Sequence, residues 1–290
     1  MTKFIGLIGY PLEHSISPIF QQAALDHYKL DIKYETWDIP PEKLVSVEYR
    51  LRHPDVIGAN VTLPYKQEML NIVNKCGDMV SVIGALNTIV NREGILEGYN
   101  TDIRGFIRGL REQAKFDPEN KKIAIIGAGG AARAVCFALL NEDINTLTLT
   151  NRTSENVENL VKSLQSTLAH TTKKTEIHSY EWLSSQFREK LQEVHLIVNC
   201  TTMGLKHSLY EGKSPLPPDW IPQNVLVYDL VYNPLETPLL KAAKSVGANV
   251  LNGSYMLLYQ GAAAFEIWTG REAPLDIMYN VIQATLSSRR

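Results

Sequence analysis

Cysteine is scarce: Cys76, Cys136 and Cys200 are three in 290 residues, far apart, odd in number and without a Cys-x-x-Cys pair. That rules out a disulfide framework and points to a reducing compartment. Long apolar runs are lacking as well. None reaches the roughly 18 residues of a membrane span, and "FIGLIGY" is too short and too near the start for a signal peptide. Neither charge dominates, with 29 Lys and Arg against 31 Asp and Glu, a formal net charge of −2. The dispersed cations form no basic stripe, which argues against nucleic-acid binding. The seven histidines include no His-Glu-x-x-His or comparable ligand spacing, so no metal is expected. Repeats and low-complexity segments are missing too. What remains is a soluble, cytoplasmic protein that meets small molecules rather than membranes or nucleic acid.

Hydrophobic residues make up 44% of the chain, enough for two cores, and the length suggests two domains. Strand-like and helix-like segments alternate, the mark of an α/β protein with largely parallel sheets. The first series runs through "FIGLIG", a helix from about Pro18, "IKYETWDI", "VIGANVTL", a helix over about Lys66 to Val73, and "ALNTIV" and "ILEGYN" joined by a reversal at "NREG". A second series starts at Lys121 and reads as a doubly wound sheet. The polar "REQAKFDPENKK" is the expected linker. Domains are therefore expected at 1–104 with 252–290, and at 105–251.

The loop "GAGGAAR" follows the strand "KKIAII" and precedes "AVCFALL". Gly127, Gly129 and Ala132 fit the G-x-G-x-x-G/A spacing of a dinucleotide site. In that reading Gly127 allows the tight turn, Gly129 makes room for a pyrophosphate, and Ala132 keeps the helix close to the sheet. Ala128, Gly130 and Ala131 complete the loop, whose N–H groups would face phosphates. The competing reading is a purely structural turn. The next strand, "TLTLT", ends in Asn151-Arg152-Thr153, where an NAD site would place an acid. A guanidinium there suits the 2′-phosphate of NADP instead, unless Thr153 or Ser154 merely caps the following helix.

Polar clusters in the first series fall at strand ends, where open α/β sheets place ligands. Ser15 and Ser17 of "HSISP" could converge on an anion at a helix start opened by Pro18, or Ser17 could be a simple cap. Asn60 and Thr62 of "NVTLPYK" share a strand face. Lys66 follows; a lone lysine is usually a solvated charge. Asn87 in "ALNT" and Asp102 in "GYNTD" end the set, and Asp102 could equally cap a helix. A lysine and an aspartate facing a cofactor could together exchange a proton with a hydroxyl or carbonyl.

With these motifs in order, together with "NCTTMG", "VYDLVYNPLETPLL" and "NGSYMLLYQGAAAFEIWTG", the chain resembles the shikimate dehydrogenase family over nearly its whole length. The resemblance implies an N-terminal α/β substrate domain with a mostly parallel sheet and a Rossmann-like NADP domain, separated by a cleft. It implies reversible NADPH-dependent reduction of 3-dehydroshikimate to shikimate on the route to aromatic amino acids, by a monomer or homodimer. Lys66 and Asp102 would be the catalytic pair; Ser15, Ser17, Thr62, Asn87 and Gln260 would bind substrate, with Tyr232 bordering its pocket. Cofactor contacts would come from the glycine loop, the Asn151 triplet, Thr201, Gly253 and Met256, and the last helices would return to the first domain. The alternatives are a quinate/shikimate dehydrogenase with broader cofactor use, or a catalytically silent NADP-binding regulator. Phe20-Gln21 stand where the family usually has His-Asn, Leu205 replaces a common Met and Gly261 a common Ala.

Overall fold

The apolar segments of the first series build one sheet and those of the second another, in a computed structural model that describes residues 1–288. Two units result: 1–105 with the chain from Leu258 onward, and 106–257.

The first unit contains β1 (Lys3–Gly9), α1 (Ser17–His27), β2 (Ile32–Asp38), α2 (Val47–Leu51), β3 (Val56–Val61), β4 (Lys75–Cys76), α3 (Asp78–Ile83), β5 (Thr88–Arg92) and β6 (Ile95–Tyr99). Its sheet runs β2-β1-β3-β5-β6-β4. β1 lies parallel to β2 and β3, whereas β5 is antiparallel to both β3 and β6. The last five residues of β1 are all buried, which is why "GLIG" reads as continuous rather than alternating hydrophobicity. Ile8, Trp37, Val61, Leu86, Ile89 and Leu96 share one core. The reversal at "NREG" is a two-residue hairpin turn with positive φ at Glu93 and Gly94, the conformation that matches strand twist.

That hairpin sets up the site. Because β5 runs backwards, its first residue, Thr88, pairs with Asn60 near the end of β3 and with Tyr99 at the end of β6. The segments after β1, β3 and β6 and the segment before β5 therefore emerge at a single edge of the sheet.

The helix expected over 66–73 does not form; a short 3-10 turn at Glu68–Asn71 stands there. The Lys66 carbonyl accepts from Leu86 N at 2.8 Å, so it is committed to the neighbouring segment rather than to a helical bond four residues on.

The second unit holds β7 (Lys122–Ile126), α5 (Gly130–Leu140), β8 (Thr146–Thr150), α6 (Ser154–Leu168), β9 (Glu176–Ser179), α7 (Ser185–Leu191), β10 (Leu196–Asn199), β11 (Leu226–Asp229), α8 (Pro238–Ser245) and β12 (Asn249–Asn252). Every pairing is parallel, in the order β9-β8-β7-β10-β11-β12. This is the 3-2-1-4-5-6 order of dinucleotide-binding sheets. Ile126, Phe187, Ile197, Val227 and Leu240 anchor its core.

The units divide within helices. α4 (Asp102–Arg108) widens into a π-type turn at Gly109–Gln113, and Phe106 stacks on Tyr228 at 5.3 Å. "REQAKFDPENKK" thus begins inside that turn and lies wholly in the second unit. Residue 252, the expected point of return, is still paired in β12 with Asp229. The chain rejoins the first unit at Leu258, within α9 (Ser254–Thr269), and ends in α10 (Leu275–Ser288). Trp268 fastens α9 to the first sheet by donating Nε1–H to Ile89 O at 2.9 Å. No helix among the described residues is long and apolar enough to cross a membrane.

Candidate active site

At the shared edge of the first sheet, the turn after β3 brings Lys66 toward the start of α4. Its ammonium lies 2.5 Å from Asp102 Oδ2, with the two side chains 14% and 5% exposed. Asp102 does not cap its helix by its own side chain; Asn100 Oδ1 accepts its N–H at 3.1 Å, which leaves the carboxylate for Lys66. Asn87 Nδ2 donates to the other oxygen, Oδ1, at 3.0 Å.

The orientation of Asn87 follows from its surroundings. Its Oδ1 accepts from Thr101 N at 2.7 Å and from Thr88 Oγ1 at 3.1 Å. A backbone N–H can only donate, so the amide oxygen must face Thr101 and the NH2 must face Asp102. The same NH2 reaches Gln260 Oε1, on α9, at 3.2 Å. Four segments distant in sequence thus meet in one polar cluster: Lys66, Asn87, Asp102 and Gln260. Among the described residues the Lys66 ammonium has no other side-chain partner, so donor capacity remains for a reacting oxygen.

Buried ion pairs are poor stabilisers, because desolvation offsets most of their attraction. A pair kept at a strand end with part of the lysine side chain exposed is suited to moving a proton.

Ser15 and Ser17 emerge beyond β1. Ile16, not Ser17, occupies the N-cap of α1 and makes no side-chain cap bond. Ser15 Oγ accepts from Ser17 N at 3.3 Å. Thr62 lies one residue past β3 at the same edge, half-buried. Asn60, by contrast, spends its amide internally, accepting from Tyr34 OH at 2.7 Å and donating to Asn87 O and Thr88 Oγ1. Tyr34, Thr88 and Thr101 are the supports that sequence reasoning missed; their polarity alone does not distinguish them from surface residues.

In the second unit the glycine loop joins β7 to α5. Gly127 has φ +115, and a Cβ there would lie 3.2 Å from both the Cys200 carbonyl carbon and Thr201 Cγ2. The left-handed φ strains any side chain here, and its Cβ would also press on the backbone after β10. Gly129 is the N-cap of α5, and a Cβ built on it meets nothing within 4 Å. The space over this helix start is therefore open to an anion such as a pyrophosphate, with the first-turn N–H groups and the helix dipole behind it. Ala132 is fully buried, Ala128 is buried, and Gly130 and Ala131 form the first turn.

After β8, Asn151 Nδ2 donates to Thr153 O at 3.2 Å. Thr153 holds the N-cap position of α6 but makes no side-chain cap bond. Arg152 is exposed, and its guanidinium lies over the Tyr210 ring at 4.5 Å and donates to the Tyr210 hydroxyl. Lys213 approaches the same ring at 5.9 Å. Two cations steadied by one aromatic suit a phosphate monoester, so these residues fit NADP. Tyr210 and Lys213 lie about sixty residues from Arg152, and no local pattern announces them.

Thr201 follows β10. Asn199 Oδ1 accepts from Thr201 N at 3.0 Å and Oγ1 at 2.7 Å, while Asn199 Nδ2 donates to Asp229 Oδ1 at 2.9 Å. Thr237, the N-cap of α8, donates to Asp229 Oδ2 at 2.6 Å. Asp229 is fully buried, and burial pushes its carboxyl up to about 6 despite these bonds. Tyr232 follows β11, half-buried. Gly253, in the turn after β12, lies so close to Leu230 O that a Cβ would be 2.0 Å from it, and Met256 is buried on α9 within the second unit. Of the predicted residues, Lys66, Asn87, Asp102 and Gln260 meet in one polar cluster of the first unit, whereas Tyr232, expected beside the substrate, lies in the second unit with the glycine loop, the Asn151 triplet, Thr201, Gly253 and Met256.

Models of known families match in three stretches: "Shikimate dehydrogenase substrate binding domain" over 7–89, "Shikimate / quinate 5-dehydrogenase" over 110–203 and "Shikimate 5'-dehydrogenase C-terminal domain" over 253–283. A relative named shikimate dehydrogenase (NADP(+)), from Moorella thermoacetica, is 40% identical over 99% of this chain and 95% of its own. A crystal structure of a shikimate dehydrogenase in complex with NADP+ superposes with TM-score 0.88 at 38% identity, covering 98% of this chain and 96% of that one. The shikimate 5-dehydrogenase of Thermus thermophilus, in complex with NADP(H) and shikimate, gives TM-score 0.85 at 33% identity over 99% and 100% of the two chains. With relatives this similar over nearly its full length, and with both edges built as described, the chain belongs to the shikimate dehydrogenase family.

Proposed function

We propose that the protein catalyses the reversible NADPH-dependent reduction of 3-dehydroshikimate to shikimate, in aromatic amino acid biosynthesis. The observation that carries this reading is the shielded Lys66–Asp102 pair, held by Asn87 and Gln260 at one sheet edge. NADPH, held through its pyrophosphate at the glycine loop, would supply the hydride for the substrate carbonyl carbon. Lys66 donates a proton to the carbonyl oxygen as charge develops there, and in the reverse direction accepts it from the hydroxyl. Asp102 holds the lysine side chain in place and balances its charge. Ser15 and Ser17 hold the substrate carboxylate; Thr62, Asn87 and Gln260 orient the ring, and Tyr232 borders it. Gly127 to Ala131 cradle the pyrophosphate, the Asn151–Thr153 segment takes the 2′-phosphate, and Thr201, Gly253 and Met256 flank the nicotinamide end. The first unit is thus the substrate domain and the second the NADP domain. The protein works in the cytoplasm, as a monomer or homodimer, in keeping with three cysteines that form no disulfide.

The test is absorbance of reduced nicotinamide with shikimate or quinate, each offered with NADP or NAD. Shikimate with NADP is expected to turn over fastest. Comparable rates with quinate and NAD would replace this reading with a broader dehydrogenase, and no turnover in any pairing with a silent NADP-binding regulator.

A further inference from the structure

Two helices of the first unit carry substrate contacts in the reading above. Ser15 and Ser17 stand at the start of α1, and Gln260 projects from α9. The separation of these groups depends on how the two helices meet, and they meet at Phe20 and Gly261, the residue next to Gln260.

Phe20 is fully buried. A Cβ on Gly261 would lie 2.5 Å from Phe20 Cε2 and 2.8 Å from Cζ, far inside the roughly 3.5–4.0 Å optimum for carbon contacts. The aromatic edge therefore fills the space that any side chain at 261 needs. Beside it Gln21, 1% exposed, donates Nε2–H to Gly261 O at 2.9 Å. This buried bond joins residues 240 apart. Further along, Tyr28 stacks on Phe265 with centroids 5.9 Å apart, so the contact continues for two turns of α1. A glycine inside a helix costs about 1 kcal/mol relative to alanine. Gly261 sits in the middle of a 16-residue helix, and the approach of Phe20 gives that glycine a purpose.

We propose that Phe20, Gln21 and Gly261 are positioning residues: their keyed contact sets the spacing between Ser15/Ser17 and Gln260, and with it the fit of a ring bearing a carboxylate and hydroxyls. The proposal rests on the functional reading above. Asn87 has bonds of its own to Thr88 and Thr101, so displacement of α9 leaves Asp102 held and falls mainly on substrate binding.

Gly261→Ala is expected to raise KM for shikimate about tenfold, the equivalent of one weakened hydrogen bond. Both kcat and KM for NADP should stay within about threefold, because uniform binding is what is lost. Phe20→Leu combined with Gly261→Ala makes room for the new methyl and should bring KM back toward the wild-type value. An unchanged KM in Gly261→Ala would overturn the proposal, as would a rise that Phe20→Leu fails to reverse. If Gly261→Ala does not fold, Gln21→Met removes only the amide donor, and a several-fold rise in shikimate KM supports the proposal while an unchanged KM contradicts it. An inert wild type would remove the functional reading and the proposal with it; an active wild type with an indifferent Gly261→Ala would remove the proposal alone.

Discussion

Arg152 gains its direction from Tyr210, whose ring lies beneath the guanidinium and whose hydroxyl accepts from it. Steadied in this way, the side chain loses less entropy when it meets a phosphate, and no acid of the Asn151-Arg152-Thr153 triplet competes for it. Arg152→Ala should therefore weaken NADPH relative to NADH by about 1.5–3 kcal/mol, the worth of a hydrogen bond to a charged group. Titration of each cofactor into wild type and variant checks this, and equal losses for both would assign Arg152 a structural role. The residue type and its place after β8 were legible in the sequence. Tyr210 and Lys213 were not, because contacts that close over a strand edge from sixty residues away leave no local pattern. The same holds for Phe20-Gln21 and Gly261: two separate departures in the sequence become one contact once α1 lies against α9.

Asp229 ties together the ends of β10, β11 and α8 by accepting from Asn199, Val231 N and Thr237. Burial raises its folded-state pKa to about 6, above the ordinary carboxylate value. Well below pH 4 the carboxyl is neutral in both states and costs nothing. As pH rises from about 4 to about 6 the unfolded chain ionises first, so stability falls, by on the order of 2–3 kcal/mol at one to two pH units above the folded value. Asp229→Asn cannot ionise. Its melting temperature should therefore gain on that of the wild type between pH 4 and 6.5 and hold a constant offset above, which calorimetry across that range reads directly. A constant difference throughout would mean that Asp229 is ionised in both states. At this level the strands and the glycine loop were legible, since apolar runs ending in Gly-x-Gly have one common use in a parallel sheet. The helix over 66–73 misled because amphipathic spacing in a short segment does not reveal that the Lys66 carbonyl is claimed by Leu86.

Each unit closes its own core, and the chain passes between them inside helices rather than through the polar stretch that looked like a linker. Length and the alternation of apolar segments foretold two α/β units. They could not locate those crossings, since a helix shared by two cores is as apolar at one end as at the other. The near-balance of charge, −2 over 290 residues, leaves short-range geometry rather than a broad field to select ligands. The account of the whole protein thus reduces to proton transfer by Lys66 beside Asp102. Its most direct test is shikimate oxidation with saturating NADP by wild type and Lys66→Ala, with NADPH affinity measured in parallel. We expect kcat to fall about 10²- to 10⁴-fold, the usual worth of a general acid–base, with NADPH binding unchanged; near-normal turnover in Lys66→Ala would contradict the account.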